Sequence, residues 1–248
     1  MGEKQIVQLN KSAACDPLEG MKFRHEMKYL VSDAQLVTLK SRLKGIMKLD
    51  SHVGSSGVYV IRSLYFDDID NTAFYENDGG SGRREKFRIR IYDGSMERIS
   101  LERKSKVFDK IRKTSCILTR DQYEILADSH ADKTVKDEYP ELMKKLLAMY
   151  QVRRMEPKVI VEYERTPYVY RDGNVRITFD RNLRSGYDLK SFSESQINGR
   201  PIMPVGMQLL EVKYDAFLPD HIYRTIAMDN LQLTSYSKYY LCRKFPGI

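Results

Sequence analysis

Two adjoining segments of the sequence carry cationic side chains at alternating positions. In KFRIRIYDG, residues 86–94, the cations alternate with apolar residues, and in LERKSK, residues 101–106, they follow a glutamate at the same spacing. Because side chains on a strand point to opposite faces with period two, each segment predicts a strand with one charged face. Arginine forks and lysine charges on such a face are suited to binding phosphate oxygens. The alternative is the solvated outer face of an antiparallel sheet.

The positive charge of the chain is concentrated around this predicted hairpin. From Arg83 to Lys113 there are twelve Lys or Arg and five Asp or Glu, a net charge of +7. The whole chain has 42 basic and 34 acidic residues, a net charge of +8, so the other residues contribute only +1. This excess of positive charge predicts an acidic partner.

Charged rows recur on several predicted strands. At period two the sequence has Arg24, Glu26 and Lys28; Lys86, Arg88 and Arg90; Glu102, Lys104 and Lys106; Arg176, Thr178 and Asp180; and Glu211 with Lys213. With the strands predicted at 58–68, 109–118 and 157–170, the count is about eight or nine. The recurrence favours an α+β fold in which a closed antiparallel barrel has polar rows lining its lumen and helices packed outside. Such a lumen is costly unless an anionic ligand and a metal balance its charges.

Helices and turns divide these strands. Capping boxes at 32–35 and 119–122 predict a helix to about Met47 and a helical region over about 120–150 that is interrupted near Pro140. Pro219 is predicted to begin a helix that runs to about Asn230, and residues 235–242 are predicted to form the last strand. Residues 1–20 are predicted to be a flexible N-terminal arm, and residues 21–248 a single domain.

The sequence lacks the signatures of several other classes of protein. It has no Walker A motif, and its four His are scattered, so no Ser-His-Asp or Cys-His set is predicted. No apolar run approaches the length of a membrane span, and no secretory signal is apparent. Cys15, Cys116 and Cys242 have no CxxC spacing and are interpreted as reduced thiols. A cytoplasmic location is therefore predicted.

Eight short motifs in chain order resemble the triphosphate tunnel metalloenzymes, and among them the polyphosphate polymerase domain of the VTC family. They are RHEMKY (24–29), SLYFD (63–67), KFRIRIY (86–92), LERKSK (101–106), YERTPY (163–168), VRITFDR (175–181), LEVKY (210–214) and SKYYLC (237–242). The resemblance implies an eight-stranded triphosphate tunnel over residues 21–248. It further implies an ATP-dependent polymerase that transfers the terminal phosphoryl group of a nucleoside triphosphate to a growing polyphosphate chain.

The resemblance also implies roles for individual residues. The phosphate-binding positions it implies are Lys28, Arg88, Arg90, Lys104, Arg176, Lys238 and, on a neighbouring strand, Lys113, and the first four at positions 28, 88, 90 and 104 are predicted to be catalytic. Glu211 would hold a divalent metal, Mn²⁺ or Mg²⁺. Further cations of the same rows, Arg24, Lys86, Lys106 and Lys213, are predicted phosphate ligands, and Glu26 and Glu102 are predicted metal ligands.

The sequence departs from the family pattern at two places. The wider superfamily begins with an ExExK strand, and Arg24 stands where the first Glu is expected. This exchange of a metal ligand for a cation fits a polymerase better than a simple triphosphatase. Ser235 stands where the eukaryotic proteins have a lysine three residues before Lys238, at the product end.

Two other functions are open at this stage. A tunnel hydrolase would act on tripolyphosphate or a nucleoside triphosphate, and a non-catalytic module would bind polyphosphate, inositol phosphates or RNA. Nucleic acid is disfavoured because carboxylates alternate with the cations and no RNP-type aromatic motif is present. The expected partners are ATP or another nucleoside triphosphate and polyphosphate. A separate membrane protein is a further candidate partner, through which the protein would associate with a membrane.

Overall fold

An antiparallel sheet of eleven strands carries the charged rows in the computed structural model. The structure describes residues 24–107, 110–228 and 231–245, without the side chains of residues 77, 78 and 110. The strands are β1 (His25–Ser32), β2 (Lys48–Leu49), β3 (Tyr59–Asp67), β4 (Arg83–Tyr92), β5 (Ser95–Val107), β6 (Lys110–Leu118), β7 (Glu156–Tyr170), β8 (Val175–Gly186), β9 (Gly199–Pro201), β10 (Met207–Tyr214) and β11 (Gln232–Leu233). The helices are α1 (Asp33–Lys44), α2 (Thr72–Asp78), α3 (Arg120–Ala127), α4 (Glu141–Arg153), α5 (Asp220–Ile226) and α6 (Lys238–Lys244).

The sheet is open, so the prediction of a closed eight-stranded barrel is wrong in closure and in strand number. Its main path is β11-β1-β10-β8-β7-β3-β4-β5-β6, with β2 paired to β7 and β9 paired to β8. Within the described ranges β6 pairs only with β5, and β11 pairs only with β1. The α+β class and the antiparallel pairing are confirmed.

The open sheet is nevertheless strongly curled. Five strands separate β1 from β5 along the path, which would place them about 29 Å apart in a flat sheet. Lys104 of β5 and Glu26 of β1 are instead joined by a 3.6 Å ion pair. The sheet therefore bends until the side chains near its two ends meet across a concave face.

Helices cover the convex face, as the apolar halves of the strands predict. Leu36, Leu39 and Leu43 of α1 and Ile222 of α5 are buried in one cluster with residues of β1, β8 and β10. A second cluster packs α3 and α4 against β4 and β5. Because one face of each strand is buried in this way, the register of the charged rows on the other face is fixed.

The helix boundaries partly match the sequence predictions. Both capping boxes are present, at the N-termini of α1 and α3. α1 ends at Lys44, three residues before the predicted Met47, and the interruption before α4 spans residues 128–140. The predicted helix from Pro219 is α5, and it ends at Ile226 instead of Asn230. The predicted arm, residues 1–20, lies outside the described residues.

The last predicted strand is wrong, because most of residues 235–242 belong to helix α6. The Ser237 side chain accepts a hydrogen bond from the Tyr240 backbone and caps this helix. Tyr239 and Cys242 are three residues apart and are buried together in a third cluster, with β3, β7 and β8. α6 thus packs on the concave side of the sheet. No helix in the described part of the chain is long and apolar enough to cross a bilayer.

Candidate active site

Glu102 of β5 is the centre of the first group of charged residues on the concave face. Its Oε2 accepts hydrogen bonds from Arg88 Nε at 2.8 Å and Arg88 Nη2 at 2.6 Å, and its Oε1 accepts from Lys113 Nζ at 2.7 Å. Arg90 Nη1 lies 3.6 Å from Oε1. Burial opposes ionisation of this carboxyl, but the charges of Arg88, Arg90 and Lys113 prevail and lower its pKa to about 2.

Two arginines of β4 keep donors available for a ligand in this group. Arg88 directs a third N–H from Nη1 to the Tyr65 hydroxyl at 2.7 Å. A guanidinium has five N–H donors, so Arg88 retains two. Arg90 is only 7% exposed, and its Nε has no hydrogen-bond partner in the described part of the chain. Buried donors of this kind normally have a hydrogen-bond partner, so an anion bound on the concave face would be stabilised here.

Glu211 of β10 is the centre of the second group. Its Oε2 accepts from Lys213 Nζ at 2.7 Å and from Arg165 Nη2 at 3.3 Å, and its Oε1 lies 3.8 Å from Lys28 Nζ. Burial opposes ionisation, but Lys213, Lys238, Arg165 and Lys28 together hold the pKa of Glu211 well below its usual range. The β1–β10 register places Lys28 directly opposite Glu211.

Asp180 of β8 extends the second group. It accepts a bidentate pair of hydrogen bonds from Arg165 at 2.6 and 2.7 Å, and it forms a 2.6 Å ion pair with Lys238. Lys238 stands at the first position of α6 with its Nζ 4.8 Å from the ring centre of Tyr163. The predicted ligand Lys238 therefore reaches the site from a helix, not from a strand.

Glu26 of β1 connects the two groups. Its Oε1 lies 2.9 Å from Lys28 Nζ, and its Oε2 lies 3.6 Å from Lys104 Nζ. Burial opposes ionisation of Glu26, but Lys28 and Lys104 lower its pKa. All four cations predicted to be catalytic thus form an ion pair with either Glu26 or Glu102.

The other predicted phosphate ligands lie closer to the ends of the groove. Arg176 Nη2 lies 3.0 Å from Asp50 and donates to the Tyr59 hydroxyl at 3.2 Å. Arg24 is exposed and donates to the carbonyl of Asn174 at 2.8 Å, so it lies at the rim. Lys86 of β4 donates to Ser237 Oγ at 3.3 Å. Lys106 is half-buried near the end of β5.

Four residues at the site were absent from the predicted set. Arg165 lies two residues from Tyr163 in YERTPY and so on the same strand face, and Asp180 shares a face with Arg176. The period of two could therefore have indicated both residues. For Asp50 and Tyr65 the sequence offered no such signal. Asp50 lies in the loop after β2, where its Oδ1 accepts from the backbone of His52 at 3.0 Å.

A family model described as the VTC domain matches residues 23–245 of the chain. The chain belongs to the VTC domain family. The resemblance predicted from the eight motifs is therefore confirmed. A search of the curated proteins finds no match.

Solved structures similar to this VTC domain are distant in sequence. HpAC1 from Hippeastrum, a candidate adenylyl cyclase described as having a dominant triphosphatase activity, has 13% identity and a TM-score of 0.55, and the match covers 90% of this chain and 96% of that chain. A candidate adenylate cyclase from Bacillus halodurans has 15% identity and a TM-score of 0.47, over 82% of this chain and 86% of that chain. At such identities the similarity shows the fold alone.

Positive charge is in excess on the concave face of the VTC domain. Cations outnumber carboxylates there, with Lys28, Lys86, Arg88, Arg90, Lys104, Lys113, Arg165, Arg176, Lys213 and Lys238 against Glu26, Asp50, Asp67, Glu102, Asp180 and Glu211. Burial, with the charges of Arg84, Lys104 and Lys28, lowers the pKa of Lys86 to about 7, although Asp67 opposes the shift. A polyanion would relieve this repulsion.

The lowered pKa of Lys86 predicts proton uptake when a phosphate ligand binds. At a pH about one unit above that value most Lys86 is neutral, and an anion should recharge it, so tripolyphosphate should bind with uptake of nearly one proton. Calorimetry in two buffers of different ionisation enthalpy measures this uptake. The Lys86→Gln variant should lose it, and equal heats in both buffers for the wild type would contradict the assignment.

The same shift fixes the sign of the pH dependence of stability. The unfolded chain keeps the lysine proton up to its ordinary pKa near 10.4, whereas folded Lys86 loses it near 7. The unfolded state therefore binds more protons between these values. Lys86 should consequently make the unfolding free energy of the ligand-free protein rise with pH across this window, in comparison with Lys86→Gln.

The carboxylates on the concave face of the VTC domain have the oxygen ligands that a hard divalent cation prefers. Magnesium is commonly bound by one or two carboxylates, with phosphates and water completing its shell. Glu211 and Glu26, which interact electrostatically, are the residues that would hold it. No group of three or more His, Cys, Asp or Glu suited to a metal occurs in the described ranges. Both oxygens of Glu102 accept from cations, which supports an orienting role, and its assignment as a metal ligand stays a prediction.

Proposed function

We propose that this VTC domain is a polyphosphate polymerase that transfers the terminal phosphoryl group of a nucleoside triphosphate, ATP in the first instance, to a polyphosphate chain. The observation that carries the proposal is the convergence of the cations on one concave face. Lys28 and Lys104 meet at Glu26, and Arg88 and Arg90 meet at Glu102. Such an array suits a ligand with a negative charge on every phosphate.

Phosphoryl transfer depends on positioning and charge stabilisation more than on a protein nucleophile. The acceptor, the terminal oxygen of phosphate or polyphosphate, is anionic near neutral pH, so the reaction needs no Ser-His-Asp set. Arg88 is held at its Nε and Nη2 by Glu102 and at its Nη1 by Tyr65, so its two remaining N–H donors have a fixed direction. Donors that are fixed before the reaction stabilise the charge of the transferring group without a cost of reorganisation.

Glu102 aligns Arg88 and Arg90 through its two oxygens, and Glu26 contacts Lys28 and Lys104 in the same way. Glu211 and Glu26 would hold a divalent cation, which would supply positive charge against the negative charge that develops on phosphate oxygens. Arg165 and Lys213 orient the Glu211 carboxylate through its Oε2. Among the described residues the Oε1 atom of Glu211 has only the longer contact of 3.8 Å with Lys28, so this oxygen has fewer partners to displace when a ligand binds.

Incubation with ATP and Mn²⁺ or Mg²⁺ tests the proposal. We expect phosphate polymers to accumulate together with ADP. Release of orthophosphate alone would instead support a triphosphatase, the second candidate. The triphosphatase activity described for HpAC1, which shares the fold, favours that candidate. Tight binding of polyphosphate without turnover would support a non-catalytic module. The cytoplasmic location and a separate membrane protein as partner stay predictions from the sequence.

Ligand binding should stabilise the protein, because a phosphate chain relieves repulsion among the cations. At about 100 times its dissociation constant, tripolyphosphate should add roughly 2.7 kcal/mol to the unfolding free energy. Thermal unfolding with and without the ligand measures this gain. Sodium sulfate at equal ionic strength is the control for general salt effects. An unchanged melting temperature at millimolar tripolyphosphate would argue against a phosphate site on the concave face.

A further inference from the structure

We propose that Arg84, Lys86, Lys104 and Lys106, here called the cation ladder, bind the part of a polyphosphate chain that extends beyond the reacting phosphates. The ladder would make affinity depend on chain length. This inference rests on the proposed function, because it assigns the acceptor chain to one end of the groove.

The ladder consists of two like-charged pairs in neighbouring strands. In the β4–β5 register Arg84 lies directly opposite Lys106, and Lys86 lies directly opposite Lys104. Like charges directly opposite each other destabilise a sheet. The next pair on the same face, two residues farther along β4, is Arg88 opposite Glu102, and its charges are opposite. Directly opposite pairs of unlike charge between β4 and β5 therefore stop where the ladder begins.

The outer pair, Arg84 and Lys106, forms no ion pair within the described residues, although Asp67, Asp68 and Glu76 line the same pocket. Arg84 and Lys106 form neither an ion pair nor a hydrogen bond with any residue that the structure describes. Lys104 shares Glu26, with which it forms an ion pair, with Lys28. After burial, the charge of Arg84 makes the largest contribution to the lowered pKa of Lys86, so the two side chains interact electrostatically. An anionic ligand would supply Arg84 and Lys106 with the ion pairs that they do not form among the described residues.

The usual structural explanation for exposed cations on a strand does not apply to the ladder. Lysine and arginine on edge strands prevent pairing with other chains. β4 is paired on both sides, with β3 and β5, and β5 is paired with β4 and β6, so the ladder lies inside the sheet. A role in protecting an edge is therefore excluded.

The position of the ladder predicts which part of the ligand it contacts. Residues two apart on one strand lie roughly 7 Å apart, so the outer pair is about that distance farther from Arg88 than the inner pair is. β4 begins at Arg83 and β5 ends at Val107, so the outer pair lies at the end of both strands. Tripolyphosphate at Arg88 and Lys104 would leave the outer pair unused, whereas a longer chain would pass over it.

The test compares two anions on one pair of variants in the presence of EDTA. The ladder variant is Arg84→Gln with Lys106→Gln. The control is Arg120→Gln with Arg224→Gln, which removes the same charge from exposed positions on α3 and α5. Calorimetry with medium-chain polyphosphate and with tripolyphosphate gives the affinities. The ladder variant should bind the long chain about tenfold more weakly and tripolyphosphate less than about twofold more weakly.

Each of three results would overturn the cation ladder. These are unchanged affinity for the long chain, an equal loss for both anions, and an equal loss in the control variant. If the double variant does not fold, Lys106→Gln alone gives the same comparison with a smaller expected loss. Production of polymer from ATP is measured separately. A domain that makes no polymer but still shows the length-dependent loss would refute the polymerase proposal and support the ladder.

Discussion

Replacing Arg88 by alanine should lower the rate of phosphoryl transfer about 1000-fold and leave the melting temperature nearly unchanged. The large loss follows from the two directed N–H donors that Arg88 keeps for a ligand. Stability should hold because Glu102 keeps Lys113 at 2.7 Å and Arg90 at 3.6 Å, so its carboxylate is not left buried and unpaired. The removal of one cation also reduces repulsion on the concave face.

Two further variants separate the role of Arg88 from a general effect of charge. Arg88→Lys keeps the charge but loses the planar fork, and it should recover only a small part of the rate. Arg120→Ala removes an exposed arginine on α3 and should leave the rate unchanged. Polymer formed from ATP at saturating metal, together with thermal unfolding, gives both quantities. Retention of most activity by Arg88→Ala would remove the Glu102 group from the active site.

Replacing Glu211 by glutamine should reduce turnover about 100-fold and raise the metal concentration needed for half-maximal activity at least about tenfold. Glutamine keeps the size and hydrogen bonding of the side chain but removes the charge that a hard cation requires. Tripolyphosphate binding in EDTA should persist or strengthen, since a negative charge has left a face dominated by cations. Titration of Mn²⁺ against activity measures the shift.

Asp180→Asn is the matched control for Glu211→Gln. Asp180 is equally buried and belongs to the same network through Arg165, so the variant loses the same charge beside the same arginine. Both variants should lose stability, because each leaves cations without a partner. Only Glu211→Gln should shift the metal requirement. An unshifted requirement in Glu211→Gln would show that Glu211 serves only to neutralise Lys213 and Arg165.

The alternation of side chains along each strand predicted which residues of the site share a face. Arg88 and Arg90 share a face because they are two residues apart, and Phe87, Ile89 and Ile91 bury the opposite face. The capping boxes fixed where α1 and α3 begin, since both the side chain and the backbone partner are encoded within four residues. Interactions of such short range can be read without the fold.

Contacts between distant segments could not be predicted in this way. Residues 235–242 are rich in tyrosine, which favours strands, but burial of Tyr239 and Cys242 against the concave side selects a helix. Asp50 reaches Arg176 from a loop 126 residues earlier in the chain, and no pattern connects the two. Whether the sheet closes could not be predicted either, because closure depends on curvature and shear and not on the alternation of side chains. Within the described residues the strands do not close into a barrel by hydrogen bonding.

The sequence by itself determined which residues are charged, which of them share a strand face, and that the positive charge is concentrated in one hairpin, because period two and composition are local properties. Only the tertiary structure decided which rows meet. The curl of the sheet brings Glu26 of β1 close to Lys104 of β5, so one site is formed from strands near opposite edges of the sheet. The tertiary structure also shows that carboxylates form ion pairs with many of the inner cations, whereas Arg84 and Lys106 form none within the described residues, since ion pairing depends on distances across the fold and not along the chain.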